Sequence, residues 1–166
     1  MMNKNIVLIG MPGAGKSTLG VLLAKAMGMF FVDSDIVIQQ KTKRLLQDII
    51  DNDGTDKFLA TEEEVLLELD IENTVLATGG SAVYSEKAME NFRKDSTVVY
   101  LHVDFEEIKK RVTNITTRGI VLKNGRSLAD AFEERKPLYD RYADVIIDCT
   151  GCTVEESVKK LIEKLK

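Results

Sequence analysis

The chain has 166 residues, 44% apolar and 30% charged, which suits one globular domain with its own core and excludes collagen-like, mucin-like and disordered chains. Lys and Arg number 23 against 27 Asp and Glu, and the net charge of −4 gives no basic excess for nucleic acid. No apolar run approaches the roughly 20 residues of a membrane span, and no leader-like stretch opens the chain. Two cysteines make no disulfide scaffold, so the expectation is a reduced, cytoplasmic protein with no membrane or nucleic-acid partner.

In chain order, Ile6, Val7, Leu8 and Ile9 form a short apolar strand, followed by a glycine-rich segment and a helix over residues 17–27 that Gly28 closes. A second strand is expected over 30–32. A helix over 56–70 carries Phe58, Val65, Leu66 and Leu69 at helical spacing. Strands over 74–77 and 98–101 come next, then a helix over 127–142, a strand over 145–147 and a helix over 154–165. The strand runs are continuously apolar, as in strands buried on both faces of a parallel sheet. The alternation predicts a three-layer α/β fold: a five-stranded parallel sheet with helices on both faces. Residues 113–125 show no period and hold two glycines, Gly119 and Gly125; the expectation there is a mobile lid.

Gly10-Met11-Pro12-Gly13-Ala14-Gly15-Lys16-Ser17 fits the phosphate-loop pattern G-x-x-x-x-G-K-[ST], between an apolar strand and a helix as that motif requires. Gly13 and Gly15 allow the backbone to turn its N–H groups toward phosphate oxygens. The helix start adds a positive end for an anion. Lys16 suits the β- and γ-phosphates, and the Ser17 hydroxyl suits Mg²⁺. The expected ligand is a nucleoside triphosphate with Mg²⁺, ATP if the chain is a kinase, held by Gly13, Ala14, Gly15, Lys16, Ser17 and Thr18.

A GTPase switch would need N-K-x-D after a strand, but the Asn-Lys pair here is Asn3-Lys4. Asp51-Asn52-Asp53-Gly54 matches D-x-x-G but follows an apparent helix. A motor ATPase would be larger. A small chain around one phosphate loop suits a kinase of a small molecule, and a non-catalytic nucleotide-binding module is the other class. Asp33 and Asp35 lie just past the second strand, where α/β sheets bind ligands. If the segment is extended, both side chains point the same way. One carboxylate then serves the metal and the other takes the proton of an attacking hydroxyl. The plain alternative is that they cap the next helix.

With these residues the chain resembles the shikimate kinase family, of the nucleoside-monophosphate-kinase-like phosphate-loop group, over nearly its whole length. The resemblance implies one domain over 1–166, with substrate-binding helices at about 34–62, and monomeric action on a small, carboxylated acceptor. It implies Asp33 at the Mg²⁺ site through water, with Ser17 on the metal. Asp35 becomes the base on the acceptor hydroxyl, and Gly79, Gly80 and Ser81 border the acceptor. Arg111 stacks on adenine, Arg118 acts from the lid, and Arg135 grips the acceptor carboxylate. Lys16, Asp35 and Arg118 are then the catalytic set.

Three positions depart from the family pattern. Leu59 follows Phe58 where the family has an arginine that pairs with the residue at Glu62 and adds a second carboxylate grip. Ser81 replaces a third glycine, and Gly119 replaces the proline after the lid arginine. Either another cation substitutes, Lys57 or Lys43 being at hand, or the acceptor is a different small alcohol or hydroxy acid.

Cys149-Thr150-Gly151-Cys152 is read as a loop at the adenine end, with redox control the alternative. Glu62, Glu63 and Glu64 read as a solvated helix face, and His102 shows no acid or base partner.

Overall fold

The computed structural model of the chain describes residues 4–113, 120–123 and 125–166. Arg118, Gly119 and most of the expected lid lie outside the described residues. Five strands, β1 (Asn5–Ile9), β2 (Phe30–Asp33), β3 (Thr74–Ala77), β4 (Ser96–His102) and β5 (Val145–Asp148), form one parallel sheet in the order β2-β3-β1-β4-β5. Eight α-helices are described: α1 (Lys16–Met27), α2 (Ser34–Thr42), α3 (Leu46–Asp53), α4 (Thr55–Glu68), α5 (Glu86–Arg93), α6 (Phe105–Thr113), α7 (Leu128–Tyr142) and α8 (Val154–Leu165). A single 3-10 turn spans Ala82–Tyr84.

The continuous apolar runs hold for the central strands. Every residue of β1 and β3 is buried, and most of β4 is. The same reading overstates β2 and β5, which are the sheet's two edges. Phe30 is 73% exposed and Ile146 51%. An edge strand has one neighbour only, so an apolar run there does not imply burial on both faces. Helix α1 packs on β2, β3 and α8, while α5 and α7 pack on β4. One large core links the sheet to these helices, through residues such as Leu8, Leu23, Val99 and Leu161.

Helices α2, α3 and α4 have their own small core of Ile38, Leu46, Ile49, Phe58 and Val65, which Val121 completes from the segment after α6. Leu59 packs against this cluster. This one of the three departures therefore serves packing of the helical subdomain. Asp51, Asn52 and Asp53 form the last turn of α3 and Gly54 its C-cap, so the D-x-x-G match lies at the end of a helix rather than after one.

Candidate active site

β1 is the central strand, with β3 on one side and β4 on the other, so the chain order reverses beside it. In open α/β sheets the crevice at such a point, past the strand C-termini, is where ligands bind. The phosphate-loop segment leaves β1 here, Asp33 ends β2, and Gly79 and Gly80 follow β3. A cavity of about 550 Å³ opens among them. It is lined by Gly13, Gly15, Lys16, Ser17 and Thr18 at one end, and by Asp35, Phe58, Gly79, Gly80, Ser81 and Arg135 at the other. Two residue sets assigned from sequence thus share one space.

At the loop end, Gly15 has φ +96° and Gly13 has φ +84°, a left-handed backbone that side chains with a β-carbon rarely adopt. Gly15 is the N-cap of α1 and offers no side chain to the first N–H groups of the helix. Those donors are left for an anion, which fits a polyphosphate. Ala14 contributes differently from its neighbours: its side chain is buried and its N–H donates to the Met11 carbonyl at 3.1 Å. The Lys16 ammonium folds back on the loop, donating to the carbonyls of Gly10 and Met11 at 2.7 and 2.8 Å. Arg111 donates to the Gly13 carbonyl at 2.9 Å and pairs with Glu107 at 3.3 Å, fixing α6 against the loop.

Asp33 takes the capping role and also meets the start of α1. Its Oδ1 accepts from the Asp35 N–H at 2.9 Å as the N-cap of α2, while Oδ2 accepts from the Ser17 hydroxyl at 2.6 Å. Hard oxygen donors from two elements are thereby brought together, a donor set suited to Mg²⁺. The expectation of two aspartates in one extended segment is corrected. The helix starts at Ser34, so Asp35 sits in its first turn. Asp35 still reaches the cavity, because α2 rises directly from the end of β2.

At the other end of the cavity, Arg135 is 1% exposed. Its Nε donates to the Tyr84 hydroxyl at 3.2 Å, its Nη2 donates to the Val121 carbonyl, and its guanidinium lies over the Tyr84 ring. Nη1 is buried with no hydrogen-bond partner and faces Gly80. A buried guanidinium with a spare donor at a cavity wall is a seat for a carboxylate. Tyr139 supports this wall by donating to the Gly80 carbonyl at 2.6 Å.

Three sequence expectations are corrected here. Glu62 belongs to no solvated face: it is 2% exposed and accepts from the Ser81 hydroxyl at 2.7 Å. α4 turns this one glutamate of the three toward the 78–81 segment, and Glu63 accepts from Ser85. Neither Lys57 nor Lys43 lines the cavity; among the described residues the cations that do are Lys16 and Arg135. His102 has partners after all, Tyr100 at 3.0 Å and Asp104 at 3.1 Å, the first on its own strand two residues back.

Sequence reasoning missed Phe58 and Val121 as cavity lining. The helical spacing around Phe58 signalled its burial, but nothing local signalled Val121. Cys149 and Cys152 are both free thiols. The Gly151 N–H in their loop donates to Glu107, which also holds Arg111, so the loop borders the phosphate-loop end of the site.

Comparison with known proteins agrees with this geometry. A family model described as "Shikimate kinase" matches residues 12–166. A shikimate kinase of Francisella tularensis subsp. novicida (strain U112) is 38% identical over 162 residues, covering 95% of this chain and 92% of that protein. Among solved structures, a shikimate kinase from Acinetobacter baumannii in complex with shikimate has a TM-score of 0.89 at 32% identity, covering 98% of this chain and 92% of that one. A shikimate kinase from Aquifex aeolicus has a TM-score of 0.80 at 30% identity, covering 97% and 95%.

Proposed function

The chain belongs to the shikimate kinase family and is a phosphotransferase with an alcohol acceptor; from that premise we propose that it transfers the γ-phosphoryl of ATP to the 3-hydroxyl of shikimate, giving shikimate 3-phosphate for aromatic amino-acid synthesis. The observation that carries the acceptor is Arg135, whose buried, unpartnered Nη1 faces Gly80 in the cavity that Asp35 also lines. A carboxylate on that nitrogen anchors one end of a small hydroxy acid. Asp35 then takes the hydroxyl proton at the other end.

In this reading the backbone of Gly13–Ser17 and the start of α1 hold the ATP phosphates, with Thr18 beside them and Arg111 at the adenine side. Lys16 exchanges its carbonyl contacts for the β- and γ-phosphates and neutralises charge there as the phosphoryl moves. Ser17, and Asp33 through water, hold Mg²⁺, which supplies charge neutralisation on the phosphates when bound. Asp35 orients the acceptor hydroxyl and accepts its proton. Gly79, Gly80 and Ser81 give the acceptor a backbone floor. Arg118 adds a cation from the 113–125 lid, whose role is to exclude water.

One observation favours a second reading. Leu59 faces the helical core and no further cation lines the cavity among the described residues. A different small hydroxy acid that needs a single guanidinium would satisfy the same site. A purely nucleotide-binding module gives no use for Asp35 and Arg135 in one cavity.

The test is MgATP-dependent ADP release by the full chain with shikimate and with a panel of hydroxy acids. Saturable turnover with shikimate supports the first reading. Intact MgATP binding, no shikimate turnover and turnover with another hydroxy acid would replace it by the second.

A further inference from the structure

Glu62 is buried on the inner side of α4, yet only one of its two oxygens has a donor. Oε1 accepts from Ser81 at 2.7 Å, while Oε2 is buried with no hydrogen-bond partner. A β-carbon on Gly79 would stand 2.9 Å from that Oε2 and 2.8 Å from Asp35 Oδ1. Two carboxyl groups therefore meet behind one glycine of the acceptor floor. The charged and hydrogen-bonding groups that act on Glu62 are Ser81 after β3, Asp35 on α2, Arg135 on α7 and Lys16 on α1.

We propose that Glu62, held by Ser81, is a positioning residue that sets the net charge of the acceptor seat, and with it the affinity for an anionic acceptor. The inference rests on reading this cavity as the acceptor site. When Glu62 is ionised, its charge opposes the pull of Arg135 on an acceptor carboxylate and adds to that of Asp35. When Glu62 carries a proton, the Arg135 guanidinium acts unopposed. Burial raises the Glu62 pKa to about 7; the Ser81 hydrogen bond works against that rise, Asp35 adds to it, and Arg135 and Lys16 oppose it. The switch between the two states thus falls near neutrality. Ser81 is half of the device, since its hydroxyl favours the ionised form. By linkage, an acceptor anion draws a proton onto Glu62 on binding.

The experiment measures shikimate KM and kcat across the neutral pH range at saturating MgATP, in wild type, Glu62→Gln, Ser81→Ala and Ser81→Thr. Wild-type KM should rise on the order of tenfold as Glu62 ionises. Glu62→Gln, neutral at every pH, should stay on the low-KM plateau. Ser81→Ala should move the break to higher pH, and Ser81→Thr, which keeps the hydroxyl, should return it.

A Glu62→Gln profile with the wild-type break, or a Ser81→Ala break at the wild-type pH, overturns the proposal. Two further readouts do not need shikimate turnover: carbon NMR titration of the glutamate carboxyls, and calorimetric binding of benzoate as a carboxylate without a hydroxyl. No shikimate turnover with MgATP binding intact counts against the acceptor reading alone. A Glu62 midpoint in the ordinary carboxylate range, or benzoate affinity independent of pH, counts against the Glu62 inference.

Discussion

Gly79→Ala is the sharpest probe of the acceptor floor. The backbone at Gly79 is not left-handed, so the substitution adds a methyl group without a conformational penalty of its own. That methyl would lie 2.8 Å from Asp35 Oδ1 and 2.9 Å from Glu62 Oε2, where ordinary contact begins at 3.4 Å. Each carboxyl must retreat by roughly half an ångström in a close-packed site. Neither retreats freely. The Asp35 N–H is pinned to Asp33 at 2.9 Å, and Glu62 is pinned to Ser81 at 2.7 Å. Overpacking of this kind costs about 1–3 kcal/mol of stability. Displacing a catalytic base by a fraction of an ångström to 1 Å costs about ten- to a hundredfold in rate. The assay couples ADP release to NADH oxidation with shikimate as acceptor, alongside fluorescent-nucleotide binding and a thermal melt. The expected result is a fall in kcat of about ten- to a hundredfold with MgATP affinity unchanged, because the nearest atoms to the added methyl belong to the two carboxyl groups. Wild-type kcat, or a loss confined to MgATP affinity, would refute the geometry assigned to Asp35.

Asp35→Asn keeps the shape of the side chain and removes the base, so kcat should fall by about 10²–10⁴ with nucleotide binding preserved in the same assay. Arg118→Ala should lower kcat far more than it lowers MgATP affinity; the reverse, in paired kinetics and binding, would make Arg118 a binding residue only. Tyr139→Phe deletes the bond to the Gly80 carbonyl at 2.6 Å, and thermal unfolding should show a loss of about 0.5–1.5 kcal/mol with a modest rise in acceptor KM. Glu62 also has a signature in stability. Its folded-state pKa of about 7 lies above the reference of 4.5, so the protein loses stability as pH rises between those values. Glu62→Gln is free of that loss, so its melting temperature should gain on wild type as pH rises through that window; a constant difference would contradict the assigned pKa.

The phosphate loop, the strands and four of the eight described α-helices were legible because each depends on near neighbours. Two glycines that must turn left-handed precede Lys16 and Ser17, and an apolar strand precedes them. The pattern predicts both the backbone and the anion it suits. The register of Asp33 and Asp35 was legible only in part. Composition put both past the strand, but a helix beginning at Ser34 gave one of them a capping role and the other a place in the first helical turn.

Local pattern is therefore enough for the chemistry at hand: a phosphate-binding turn, two carboxylates at the end of the second strand, an arginine in the helix over 127–142, and the alternation that builds a parallel sheet. Tertiary structure alone decided which charges lose their water. Glu62 and Glu64 are two residues apart on one helix, but Glu62 is enclosed by the 78–81 turn and Glu64 is exposed. Leu59 joins a small core completed by Val121, and Arg135 meets the Val121 carbonyl, contacts between segments far apart in the chain. Periodicity is local, whereas desolvation depends on whatever remote segment packs on top. A carboxyl's charge at neutral pH follows desolvation, so the surroundings of Glu62 and Arg135 became legible only when the chain was folded.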